Sequence, residues 1–161
     1  MTGVGQLHVA FVCTGNICRS PMAEKMFAAH LYRAGLADRV RVDSAGTQSW
    51  HVGAEADPRT SRTLRKYGYP TGHVAAVFGT EHRSADLVVA LDRSHQRELD
   101  RLGVARQRLR LLRTFDPVAD DEEVADPYYG GTADFERVHD QIAAAIPGLL
   151  EWVRLELDRA R

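Results

Sequence analysis

A strand-like run, Leu7-His8-Val9-Ala10-Phe11-Val12, is followed after only seven residues, Cys13-Thr14-Gly15-Asn16-Ile17-Cys18-Arg19, by an amphipathic run opening on Ser20-Pro21. The first run is short, β-branched and aromatic, as buried strands are. In the second, Met22, Met26, Phe27 and Leu31 recur at helical spacing and Gly35 supplies a stop, which predicts a helix with one apolar face. Ser20 is the expected N-cap, with Pro21 at the first helical position, where its missing N–H costs nothing. A connection this tight leaves the first N–H groups of the helix without internal partners, so they converge on whatever anion lies above them. Cys13 then sits at the bottom of an anion cradle and Arg19 at its rim.

The next apolar run, Arg39-Val40-Arg41-Val42-Asp43-Ser44, alternates like a strand and completes a β-loop-α-β unit, for which a parallel, right-handed crossover is expected. Asp57-Pro58 opens another helix, with Leu64 and Tyr67 on its inner face and Gly68 near its end; Tyr69 to Ser84 carries no firm pattern. Asp86 to Asp92 reads as a third strand buried on both faces, Ser94 to Leu102 as a helix and Arg108 to Leu112 as a fourth strand. A long acidic loop, Asp116 to Thr132, precedes a last helix from Ala133 to Leu157, which Pro147 is expected to kink or split. The predicted fold class is α/β: a three-layer α/β/α domain spanning 1–161, with a four-stranded, mostly parallel sheet and the phosphate-binding loop between strand 1 and helix 1. Ligands of such sheets bind beyond the carboxyl ends of the strands, where Cys13, Trp50 and the acidic loop all fall.

Composition removes several function classes. With 21 Lys and Arg against 22 Asp and Glu, the chain has no bulk attraction for nucleic acid or an anionic membrane. No run reaches the ~20 apolar residues of a membrane span, and Met1 to Leu7 lacks the basic and apolar regions of a signal peptide. Two cysteines five positions apart make neither a disulfide framework nor a zinc site, and the expected setting is a reducing cytoplasm, with no cofactor and no metal.

Within the cradle, the N–H groups and the Arg19 guanidinium both favour the Cys13 thiolate, a nucleophile at neutral pH; the plain alternative is a packed cysteine at a strand end. Arg19 suits a phosphoryl group because its planar fork donates to two oxygens at once. A cation at a helix start opposes the helix dipole and calls for an anion, for which phosphate is the natural candidate. Ser20 either caps the helix or steadies the departing thiolate. Asn16 and Ser44 are candidates to brace the loop by side-chain hydrogen bonds. Phosphate monoester cleavage also needs an acid for the leaving oxygen, and two Asp-Pro pairs compete. Asp116 is explained by an ordinary turn, whereas Asp126 precedes Tyr128-Tyr129, which would flank an aromatic ring and keep the acid partly desolvated. Trp50, Tyr128 and Tyr129 are the expected walls of a slot for a flat ring. His51 and His73 are candidates either for the site or for ordinary packing, and Asp92 for capping the following helix. Cys18 either packs or forms a reversible disulfide that shields Cys13. Asp120 to Glu123 read as a solvated turn, with selection of basic substrates as the alternative.

On the segments Cys13 to Pro21, Ser44-Ala45-Gly46-Thr47 and Asp126-Pro127-Tyr128-Tyr129-Gly130, the chain resembles the low-molecular-weight protein tyrosine phosphatase family over essentially its whole length. Trp50-His51-Val52-Gly53 directs the resemblance to the family's secreted mycobacterial branch. The resemblance implies a four-stranded parallel sheet and metal-independent hydrolysis of phosphotyrosine. In it Cys13 attacks phosphorus, Arg19 binds the phosphoryl group, and Asp126 acts first as acid and then as base on the phosphocysteine. Thr14, Gly15, Asn16, Ile17, Cys18, Ser20, Trp50, His51, Tyr128 and Tyr129 become the expected substrate-binding residues. Arsenate reductases share the loop but need relay cysteines, and none follows Cys18. Protein-arginine phosphatases tend to carry threonine at the position of Ile17 and lack the paired tyrosines. His95 stands where many relatives carry asparagine, which leaves the packing near Asp92 open. The expected partners are phosphotyrosine proteins, with a tyrosine kinase acting on Tyr128 and Tyr129 left open, and the chain is expected to be monomeric. Export without a signal peptide is left open by the same resemblance.

Overall fold

A computed structural model describes residues 6–160; most of the N-terminal stretch weighed above as a signal peptide lies outside the described residues. Strand β1 (Leu7–Cys13) leads through the loop into helix α1 (Arg19–Arg33) and strand β2 (Val40–Gly46). Helices α2 (Pro58–Lys66) and α3 (Thr80–Arg83), strand β3 (Leu87–Ala90), helix α4 (Arg93–Arg101), strand β4 (Leu109–Leu111) and helix α5 (Thr132–Arg159) follow. The sheet order is β2-β1-β3-β4, and every pairing is parallel.

Alternation along β1 sorts its side chains between two layers. Val9, Phe11 and Cys13 face a large core with Met22, Met26 and Phe27 of α1 and Phe135, Ile142 and Leu149 of α5. Ala10 and Val12 face a smaller one, where Leu99 of α4 packs on Val88 and Ala90. Both faces of β1 and β3 are therefore buried, and the expected α/β architecture is present.

Three details depart from expectation. Helix α1 begins at Arg19, two residues earlier than predicted, and its N-cap residue, Cys18, makes no side-chain capping bond. Ser20 lies inside the first turn, so its hydroxyl is free for another task. Helix α5 runs unbroken through Pro147. One intrahelical bond is lost there, but Ile146 and Leu149 are buried on either side, and Gly148 lets the helix lie directly on the Phe115 carbonyl, 2.2 Å from where a Cβ would stand. Tyr67, expected to be internal, is partly exposed at the C-cap of α2, with its ring stacked on His139 at 3.6 Å. The unpatterned stretch after α2 is held by backbone bonds to the end of β2, Gly46 N to Ala76 O and Phe78 N to Gly46 O, both 2.8 Å. Among the described residues, no helix is long and apolar enough to cross a membrane.

Candidate active site

Cys13 closes β1 with 2% of its surface exposed, and the next five residues wrap over it before α1 starts. Asn16 makes this wrap possible. It takes a left-handed backbone, φ 59°, which asparagine tolerates better than most residues, and its buried amide ties three segments together. Its Oδ1 accepts the Ala76 N–H at 2.9 Å, which fixes the amide orientation. Nδ2 must then donate to Ser20 Oγ at 2.8 Å and Ser44 Oγ at 3.0 Å. Ser44 passes its proton on to Glu24 Oε1 at 2.5 Å, and His73 Nε2 donates to the Asn16 carbonyl at 2.8 Å. Burial pushes the His73 pKa down, which keeps the ring neutral as a brace.

Ser20 Oγ accepts from Asn16 and lies 2.9 Å from Cys13 Sγ, with the Ala45 carbonyl as a second neighbour at 3.5 Å. When Cys13 is a thiolate the sulfur can only accept, and the Ser20 hydroxyl is the donor. Ser20 thus stands against the sulfur instead of capping α1. Gly46 brings β2 against the loop, since a Cβ there would stand 2.6 Å from the Thr14 carbonyl and 3.1 Å from Asn16 N. Gly15 leaves room for His51, whose Cδ2 would be 2.8 Å from an added Cβ.

Arg19 is 2% exposed, and its orientation is fixed from behind. Nη1 donates to Asp92 Oδ2 and to the Val124 carbonyl, each at 2.8 Å. The compensating anion expected as phosphate is thus supplied first by the protein. Asp92 also caps α4, accepting from Ser94 N at 2.9 Å and His95 N at 3.1 Å. Burial raises its pKa, but the Ser94 hydrogen bond and the neighbouring His95 and Arg19 outweigh that and hold it at about 2. His95, the departure from the family pattern, is buried between the two sides of the site, with Nε2 2.8 Å from Thr14 Oγ1 and Nδ1 3.2 Å from Asp92 N. Cys18 is a free, buried thiol whose pKa is pushed up to about 12, by burial first and then by Asp57 and Cys13. It stays protonated at neutral pH.

Above the loop opens a cavity of about 300 Å³ lined by Cys13, Thr14, Gly15, Ile17, Cys18 and Arg19 below, and by Trp50, His51, Asp126, Tyr128 and Tyr129 at the walls. Asn16 and Ser20 lie beneath it, and His73 and Asp116 do not line it. Asp126 Oδ2 is 3.8 Å from Arg19 Nη2. Its side chain is 50% exposed, which leaves the acid half-buried. Tyr128 and Tyr129 pack edge-on against each other, ring centroids 4.9 Å apart, with Tyr129 almost wholly in solvent. Asp116 instead accepts from Val118 N within its own turn. The acidic run is partly neutralised, with Glu122 on Arg93 and Asp120 on the buried Arg113, each at 2.9 Å.

The family model described as low molecular weight phosphotyrosine protein phosphatase matches residues 8–159. The chain belongs to this family. It is 59% identical over 155 residues to low molecular weight protein-tyrosine phosphatase A of Mycobacterium tuberculosis, covering 95% of each chain. A protein tyrosine phosphatase structure from Entamoeba histolytica superposes with a TM-score of 0.86 at 32% identity, covering 96% of this chain and 99% of that one. A Drosophila arginine phosphatase superposes with a TM-score of 0.82 at 31% identity, covering 89% and 95%. These two solved structures share the fold and are named for different phosphoryl substrates.

Sequence reasoning missed Glu24 and understated Asp92 and His95. Glu24 sits in the apolar-patterned helix with nothing local to mark it. Asp92 had a signal, being an acid at the end of a strand on the same edge as an arginine that needed one.

Proposed function

We propose that this protein is a protein tyrosine phosphatase that works through a phosphocysteine on Cys13. The observation that carries the reading is the convergence of Cys13, the Arg19 guanidinium and the Asp126 carboxyl on one cavity with aromatic walls. The Cys13 sulfur attacks phosphorus while Arg19 holds phosphoryl oxygens with its Nε–Nη2 edge, Nη1 being occupied by Asp92 and Val124. The Ser20 hydroxyl steadies the sulfur charge. As the P–O bond breaks, Asp126 gives its proton to the phenolate oxygen and tyrosine leaves. Asp126, now a carboxylate, takes a proton from water, whose oxygen attacks the phosphocysteine, releasing phosphate and the Cys13 thiolate.

Trp50 and Tyr128-Tyr129 offer aromatic walls, and Ile17 an apolar lining residue, to a phosphotyrosine ring; these features favour it over phosphoarginine. The half-exposed Asp126 stands at the wall of the slot the substrate ring would fill, in position to protonate the leaving oxygen. Tyr129, 94% exposed, and Tyr128, 40% exposed, are accessible to a tyrosine kinase, and phosphorylation there would alter the cavity rim. The chain is then one catalytic domain, a cytoplasmic monomer that acts on phosphotyrosine-containing proteins.

The test is hydrolysis of p-nitrophenyl phosphate with EDTA present. Activity should vanish in Cys13→Ser and fall ~10²-fold or more in Asp126→Ala, with little change in Asp116→Ala. A larger loss in Asp116→Ala would move the acid, and faster turnover of phosphoarginine than phosphotyrosine would reassign the substrate.

A further inference from the structure

The tautomer of His95 determines the direction of a hydrogen bond inside the cradle. His95 Nδ1 lies 3.2 Å from the backbone nitrogen of Asp92, whose N–H can only donate; Asp92 Oδ1 is 3.3 Å from the same ring nitrogen but makes no hydrogen bond with it, so Nδ1 accepts and carries no proton. In a neutral ring the proton is then on Nε2. Burial and Arg19 favour that neutral ring by pushing its pKa down to about 4, against the opposite pull of Asp92 and Asp126. Nε2–H therefore donates to Thr14 Oγ1 at 2.8 Å. Thr14 Oγ1 is left with its own proton to give. Thr14 lines the cavity beside Cys13 and Arg19, and among the described residues its hydroxyl has no other hydrogen-bond partner.

We infer that His95 fixes the Thr14 hydroxyl as a donor into the cradle, so that Thr14 Oγ1–H binds a phosphoryl oxygen alongside the backbone N–H groups. Thr14 is thereby a side-chain ligand of the phosphate, and His95 is a positioning residue acting through it. Accepting from His95 also polarises the hydroxyl, which strengthens the bond it donates. The inference rests on the cradle's being a phosphate site, as proposed above.

Titration calorimetry with inorganic phosphate measures this without turnover. Thr14→Val should weaken phosphate binding ~10- to ~100-fold, as loss of a hydrogen bond to a charged group does, while Thr14→Ser keeps most of it. His95→Ala should weaken binding several-fold, and His95→Gln, whose amide nitrogen can replace Nε2, should restore it. In a Thr14→Val background, His95→Ala should add nothing. The inference is overturned if Thr14→Val binds phosphate as tightly as the unaltered protein. It is equally overturned if the two losses multiply, which would mean that His95 acts through Asp92 alone. If the unaltered protein binds no phosphate, the cradle itself is misread and the inference falls with it. Binding and turnover by the unaltered protein, with Thr14→Val unaffected, would sink only the Thr14 assignment.

Discussion

Replacing His95 by glutamine should flatten the acid side of the protein's stability profile. His95 has an ordinary pKa of 6.5, pushed down to about 4 in the fold by burial and then by Arg19. Between those values an unfolded chain takes up a proton that the folded one refuses. Stability therefore falls as pH falls from 6.5 towards 4, and levels off once the folded ring also protonates. At ~1.4 kcal/mol per pH unit, that interval amounts to about 3 kcal/mol. Glutamine removes the titration and keeps a donor for Thr14 Oγ1. The assay is urea unfolding of both proteins at a series of pH values from 7.5 to about 4. Other depressed groups, His73 and His30 among them, act in both proteins and cancel in the difference. The stability of the unaltered protein relative to His95→Gln should fall by about 3 kcal/mol as pH falls. A constant difference would refute the reasoning, because it would mean that His95 titrates alike in both states. A rise would mean that protonated His95 gains from Asp92 more than burial costs.

Three further outcomes follow from contacts at and around the site. Asp92→Ala removes the carboxylate that orients Arg19 at 2.8 Å and should cut kcat/KM for aryl phosphates ~10- to ~100-fold; steady-state kinetics that match the unaltered protein would show that the Val124 carbonyl suffices. Trp50→Ala should raise KM for a phosphotyrosine peptide ~10-fold while leaving inhibition by inorganic phosphate unchanged, and equal losses in both would place Trp50 under the loop instead of on the slot. Gly148→Ala puts a Cβ 2.2 Å from the Phe115 carbonyl and should destabilise the fold by ~2 to ~4 kcal/mol in urea unfolding; an unchanged midpoint would mean that α5 is free to shift.

The parts of this molecule legible in its sequence were those whose cause is local. A short β-branched and aromatic run marks β1, alternation marks β2, three-and-four spacing marks α1 and α5, and Asp57-Pro58 marks the start of α2, where Asp57 accepts from Arg59 N as an N-cap does. The strand-loop-helix junction brought Cys13 and Arg19 together for the same reason. What the sequence obscured is held by distant partners. Ser20 looked like a cap because Ser-Pro usually opens a helix, but its hydroxyl stands 2.9 Å from the sulfur and accepts from Asn16, itself oriented by Ala76 sixty residues away. Pro147 looked like a break because a local rule cannot weigh the burial on both sides of it. Asp126 looked shielded because two aromatics follow it; the tyrosines pack on each other and leave it half exposed.

The central claim is that Cys13 becomes phosphorylated during turnover. Rapid quenching of Asp126→Ala with an aryl phosphate, followed by mass spectrometry of the peptide containing Cys13, tests it directly, because loss of the general base should let the intermediate accumulate. The account predicts a phosphate adduct on Cys13, absent from the Cys13→Ser, Asp126→Ala double variant as a cysteine adduct and discharged when wild-type Asp126 is present. Turnover of substrate with no adduct on Cys13 at any quench time, or an adduct on Cys18 in its place, would contradict it.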